Sequence, residues 1–96
     1  MGLKVVEIQL TPNPHALKFV LDRTVWREPL SFFNADAARA HPLAEKLFAV
    51  PGVSSLLLLG DFVTINKRPD ADWVAIKRIV RKVLAEHSIE PKTESM

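Results

Sequence analysis

The stretch VSSLLLLGDFVTINK, from Val53 to Lys67, decides the fold. Val53 to Leu59 is apolar enough for a strand covered on both faces. Gly60-Asp61 stands where a two-residue hairpin turn belongs, and Phe62 to Lys67 supplies the returning strand. In that strand Val63 and Ile65 share one face, while Phe62, Thr64 and Asn66 share the other.

Toward the C-terminus, Asp70 or Asp72 can cap a helix in which Trp73, Ile76, Ile79, Val80, Val83 and Leu84 form an apolar stripe at helical spacing. That stripe predicts a helix packed on the sheet, with Lys77, Arg78, Arg81 and Lys82 on its other side. Toward the N-terminus, Pro51-Gly52 ends a helix that Pro42 opens, with Leu43, Leu47 and Phe48 spaced along it. Asn34-Ala35-Asp36 caps a helical turn reaching Ala40. Arg23 to Asn34 shows no clear period and reads as a loop with at most a short strand near Leu30–Phe33.

Further back, Val6, Ile8 and Leu10 alternate with Val5, Glu7 and Gln9, and Leu17, Phe19 and Leu21 alternate with Lys18. Thr11-Pro12-Asn13-Pro14 joins these runs as a stiff turn, because two prolines remove two backbone donors and hold the preceding residues extended. The expected order is ββαββα. It describes a two-layer α+β domain, a four-stranded antiparallel sheet with two helices on one face and the other face partly open. The domain is expected to fill residues 1–90, with 91–96 a polar, disordered tail.

Composition narrows the chemistry. The chain has 96 residues, 48% of them apolar and 25% charged, which suits one globular core. It has no cysteine, so disulfides, thiolate-held clusters and nucleophilic thiols are excluded within it. The apolar runs are far shorter than the roughly 20 residues of a spanning helix, and a cytoplasmic protein is expected. A net charge of +2 is small for a nucleic-acid binder. There is no Gly-rich phosphate loop, no G-x-S-x-G elbow, no H-E-x-x-H and no usably spaced carboxylate pair, so an enzyme is not expected.

Four blocks stand in order: TPNPHALKF at 11–19, HPLAEKLFAVPGV at 41–53, GDFVTINK at 60–67 and DWVAIK at 72–77. Together they resemble the N-terminal domain of Nfu/NifU-type iron–sulfur cluster scaffold proteins. Those proteins carry T-P-N-P-N-A-L-K-F, S-P-L-A-x-x-L-F ending in G-V, a D-F-[IV]-T-[IV] strand and a tryptophan opening the last helix. His15 replaces the usual asparagine. His41 replaces the usual serine, and a weaker helix start by something on the order of 1 kcal/mol is expected from it. In the family the cluster is held by a separate downstream C-x-x-C domain. The resemblance therefore implies a non-catalytic interaction domain of cluster assembly or delivery that carries no cluster itself. Its partner would be a protein such as a C-x-x-C scaffold or a client.

The candidate partner contacts are Asn13, His15 and Lys18 on the stiff hairpin, with Thr64 and Asn66 beside them if the two hairpins lie side by side. The competing reading is that Thr11–Pro14 only ends a strand and sets the register. A second functional reading takes Lys67, Arg68, Lys77, Arg78, Arg81 and Lys82, set against Asp70 and Asp72, as a recognition face for acidic or phosphorylated ligands. No aromatic is interleaved with these charges, and nucleic acid is not expected. His15, His41 and His87 stand on three predicted elements, so no metal or cofactor site is expected, the alternative being weak binding of iron or another divalent ion if folding gathers two of them. Trp26 and Trp73 read as core residues, His87 as a histidine favoured when protonated at a helix C-terminus, and Phe62 as a contact on the open side of the sheet.

Overall fold

The computed structural model describes residues 2–87. The polar end 91–96 lies outside the described residues. Five strands form one antiparallel sheet: β1 Val5–Leu10, β2 Ala16–Leu21, β3 Trp26–Phe32, β4 Val53–Gly60 and β5 Phe62–Lys67, in the spatial order β1-β2-β5-β4-β3. Three helices accompany it: α1 Ala35–Ala38, α2 Pro42–Phe48 and α3 Trp73–Glu86.

The β4–β5 hairpin is the centre of the sheet. Leu59 pairs with Phe62 across Gly60-Asp61, and Gly60 has φ 58°, the sign that the first position of a type II′ turn requires. The turn is clasped from both sides. The Leu21 amide of β2 donates to the Asp61 carbonyl at 2.6 Å, and the Val25 amide ahead of β3 donates to the Gly60 carbonyl at 2.8 Å. Leu17, Phe19 and Leu21 of β2, Leu56 and Leu58 of β4 and Val63 and Ile65 of β5 are buried on one face, under Leu43 and Leu47 of α2 and Ile76, Val80 and Leu84 of α3. The opposite face carries Lys18, Val20, Leu57, Leu59, Phe62, Thr64 and Asn66, all partly exposed.

The sheet has one strand more than the four expected, and the extra strand is β3. It pairs with β4 along the sheet edge, and its register shifts between Trp26 and Leu30. Pro29 lies in that irregular stretch, where an edge strand loses nothing by lacking a donor. The shift breaks the alternation, so Arg23–Asn34 reads as a loop although Trp26 and Phe32 are buried. A second irregularity lies in β1, between Val5 and Glu7. It turns Val6 outward at 55% exposure, so Val5 and Ile8 pack on the core instead of the expected Val6, Ile8 and Leu10.

The helix starts follow the expected signals. Asn34 caps α1 through its side-chain oxygen at 2.7 Å from the Ala37 amide, and Asp72 caps α3 at 3.1 Å from the Val74 amide. His41 also caps, with Nδ1 accepting from the Ala44 amide at 3.2 Å. The imidazole therefore stands in for a serine hydroxyl at this position.

Candidate functional site

The tip of the β1–β2 hairpin is a closed network. Asn13 Oδ1 accepts from the His15 amide at 2.9 Å, and the Ala16 amide donates to the Asn13 carbonyl at 3.0 Å. Thr11 Oγ1 accepts from the Asn13 amide at 3.1 Å, and it lies within donating reach of the Asn13 and Ala16 carbonyls at 2.8 and 3.0 Å. One hydroxyl proton serves either carbonyl, not both at once. With Pro12 and Pro14 fixing φ, the tip is pre-shaped.

Two long-range contacts seat this tip against the end of β5 and the start of α3. The Lys67 amide donates to the His15 carbonyl at 2.8 Å, and the Trp73 Nε1–H donates to the Pro14 carbonyl at 3.3 Å. The Lys67 side chain joins them, with Nζ 3.4 Å from His15 Nδ1 and 5.9 Å from the centroid of the Trp73 ring. Between the tip and the helix opens a cavity of about 330 Å³, walled by Leu10, Leu17 and Trp73 with the backbone of the tip, and Lys77 stands at its rim. Leu10 is 88% exposed although it pairs with the buried Leu17. It lies past the end of the core, where no helix covers it. Trp73, expected in the core, packs against it only in part and is a wall of this cavity.

The five expected partner contacts divide into two groups. Asn13 and His15 belong to the tip, and Asn13 spends its side-chain oxygen inside the turn. Lys18, Thr64 and Asn66 lie on the open face. Lys18 pairs with Thr64 across β2 and β5 and holds its Nζ 4.2 Å above the Phe62 ring, and Asn66 Nδ2 donates to Ser55 Oγ at 2.7 Å. The six expected cations also divide. Lys67 is bound up with His15 and the Arg68 carbonyl, and Arg68 lies by a second hollow next to Gly52 and Asp72. Lys77 and Arg81, one helical turn apart, line the β1 side of α3, whereas Arg78 and Lys82 are exposed on its outer side. Among the described residues the ion pairs are Asp22–Arg23 and Asp36–Arg39, and none of these six cations takes part.

The fold brings His41 and His87 together. Burial lowers the His87 pKa first, and the nearby charges of Lys46 and His41 lower it further, so the expectation that His87 is favoured when protonated is overturned. Burial likewise lowers the His41 pKa, and its ring packs against Phe32 at 5.6 Å between centroids. No group of three or more potential metal-ligating side chains occurs among the described residues. No described helix is long and apolar enough to cross a membrane.

Sequence reasoning missed Leu10 and Trp73 as site residues. The available signal was an apolar side chain, Leu10, placed directly before the Thr11-Pro12 turn, where no further strand residue could share its burial.

The fold is a small two-layer α+β domain with an apolar-walled cavity at the tip of its first hairpin. The chain belongs to the Nfu/NifU family: residues 6–90 match the family described as "Scaffold protein Nfu/NifU N terminal". It is 39% identical over 83 residues to the mitochondrial NFU1 iron-sulfur cluster scaffold homolog of Drosophila erecta, and 39% identical over 90 residues to that of Drosophila willistoni. Those matches cover 84% and 90% of this chain but only 29% and 31% of the relatives, so the chain spans less than a third of their length. Among solved structures it is similar to the NifU-like protein of Saccharomyces cerevisiae, with TM-score 0.77 at 28% identity, covering 88% of this chain and 77% of that one. It is also similar to protein SAV1430 of Staphylococcus aureus, with TM-score 0.72 at 25% identity, covering 83% of this chain and 96% of that one.

Proposed function

We propose that this chain is a non-catalytic interaction domain of iron–sulfur cluster assembly or delivery, which carries no cluster itself and docks a protein partner, a C-x-x-C scaffold or a client protein. The observation that carries the reading is the family match over residues 6–90, in a chain without cysteine. The pre-shaped tip and the cavity beside it support the docking reading. The tip is rigid before contact, so little conformational entropy is lost when a partner meets it, and the cavity beside it offers apolar area. Asn13 and His15 form the rim of this contact, and Lys18, Thr64 and Asn66 extend it around the sheet end onto the open face.

The test is titration of the isotope-labelled chain with a C-x-x-C scaffold domain and with apo iron–sulfur clients, followed by NMR. Saturable shifts of the tip amides and the Trp73 indole are expected. Failure of every cluster-assembly protein and client to bind would remove the reading.

A second reading, recognition of acidic or phosphorylated ligands by the basic side of α3, is supported by the cations that no described carboxylate pairs with. Such contacts weaken with salt, so titration with phosphopeptides at two ionic strengths tests it, and absence of binding at low salt removes it.

A further inference from the structure

The cavity at the hairpin tip is one of two hollows bordered by both β1 and α3, and the two lie at opposite ends of the groove that this strand and helix flank. At one end lie Leu10, Leu17, Trp73 and Lys77. At the other, a third hollow, distinct from the one by Arg68, is lined by Leu3, Lys4, Val5, Arg81 and Ala85. The strand runs from the Lys4 end to the Leu10 end and α3 runs from Trp73 to Ala85, so strand and helix flank the groove in opposite directions. Strand β1 pairs with β2 on one side only, and no strand among the described residues pairs with its outer edge. The register with β2 is regular from Glu7 to Leu10, and the irregularity between Val5 and Glu7 blunts the other end.

We infer that this groove takes an extended acidic segment of a protein partner, added as a strand antiparallel to the Glu7–Leu10 edge. In this arrangement one apolar side chain enters the Leu10–Leu17–Trp73 cavity, and carboxylates two and four residues later meet Lys77 and Arg81. The inference rests on the proposed interaction role and names the chemistry of what docks.

Charge and spacing single out this occupant. Lys4, Lys77 and Arg81 border the groove, while Asp22 is paired with Arg23 and Glu7 stands opposite Val20 on the other face of the sheet. The groove is thus cationic along its length and apolar at one end. Four residues of helix rise about 6 Å and two residues of strand span about 6.6 Å, so carboxylates at alternate strand positions match the Lys77–Arg81 interval. Side chains at alternate positions of an added strand also point to one side, which lets the apolar and acidic groups all face the helix. A nucleic-acid strand has phosphates that can accept from the edge N–H groups but no alternating N–H and C=O ladder to pair with the edge as a strand does.

The test titrates the labelled 96-residue chain with the synthetic peptide TLTETET at low salt. Saturable shifts are expected at the Glu7–Leu10 and Lys77 amides and at the Trp73 indole. The affinity should fall about tenfold for TLTQTQT, for the Lys77→Glu/Arg81→Glu double variant and in high salt, because charge-assisted contacts are lost. TATETET should also bind more weakly. Since two arms change only the peptide, a folding defect in the variant leaves the outcome readable. Shifts that are absent or confined to Phe62 and Thr64, equal binding of TLTQTQT, or equal shifts with inorganic phosphate or oligothymidylate would each overturn the assignment. If the double variant still captures a cluster-assembly partner at wild-type affinity, the groove is wrong while the interaction role stands.

Discussion

The indole N–H of Trp73 donates to the Pro14 carbonyl at 3.3 Å, a contact spanning 59 residues that fixes the hairpin tip to the first turn of α3. Trp73→Phe keeps an aromatic wall but removes the donor. The bond is exposed, so the expected loss is at the low end, about 0.5 kcal/mol, or a few degrees in Tm. Amide exchange at Asn13, His15 and Ala16 should accelerate more than exchange in the central strands. Uniform acceleration across the sheet would show that the contact supports the whole fold rather than the tip.

Asn13 and Lys18 separate the architectural and recognition parts of the hairpin. Asn13→Ala removes the acceptor for the His15 amide and should lower stability by about 1 kcal/mol. Lys18→Ala removes only an exposed cation over Phe62, with an expected change within about ±0.5 kcal/mol. Chemical denaturation of the two single variants checks this. Equal losses would place Lys18 in the architecture as well.

Acid should destabilise the domain through His41 and His87. Both have folded-state pKa values below the ordinary histidine value, so the unfolded chain takes up protons first as pH falls. Stability is therefore full above about pH 6.5, the unfolded value, and is lost as pH drops through the lowered folded values. Protonated Nδ1 cannot accept from the Ala44 amide, which adds loss of the α2 cap. His41→Ser supplies an acceptor that does not titrate. Its Tm should fall less between pH 7 and pH 5 than that of the unsubstituted chain, and equal slopes would assign the acid sensitivity elsewhere.

Gly52 has φ 95°, and a Cβ there would lie 2.6 Å from the Cβ of Ala71. Gly52→Ala forces both a left-handed side-chain-bearing residue and a collision, so a loss of about 1–3 kcal/mol is expected in equilibrium unfolding. Gly60→Ala, at φ 58° with nothing within 4 Å of the added carbon, should lose less.

The legible parts of this molecule were those whose cause is local. The β2 and β5 faces follow from alternation, and the α1 and α3 starts from Asn34 and Asp72, whereas β4, read as covered on both faces, leaves Leu57 and Leu59 partly exposed on the open face. Strand β3 was illegible because its signal is partner-dependent. Pro29 and the shifted register erase its period, and only the neighbouring edge of β4 makes it a strand. Similarly, nothing near Leu10 in sequence announces that it faces Trp73, because that pairing exists only after β2 and β5 align the hairpin with α3. The tip itself was visible in Thr11–Pro14. The cavity behind it was not, and neither was the split of the four α3 cations, Lys77 and Arg81 on the β1 side and Arg78 and Lys82 on the outer side.

The order β1-β2-β5-β4-β3 also has a bearing on synthesis. The first two strands leave the ribosome as a hairpin whose next neighbour in the sheet, β5, begins at Phe62, and β3 waits for β4. At roughly 5–20 residues per second, the early strands spend a few seconds without their partners. Through that interval Pro29, which lacks a backbone donor, limits the ladder that the unpaired β3 offers to other chains. The proline that masks the period of β3 thus also shields that strand until the β4–β5 hairpin arrives.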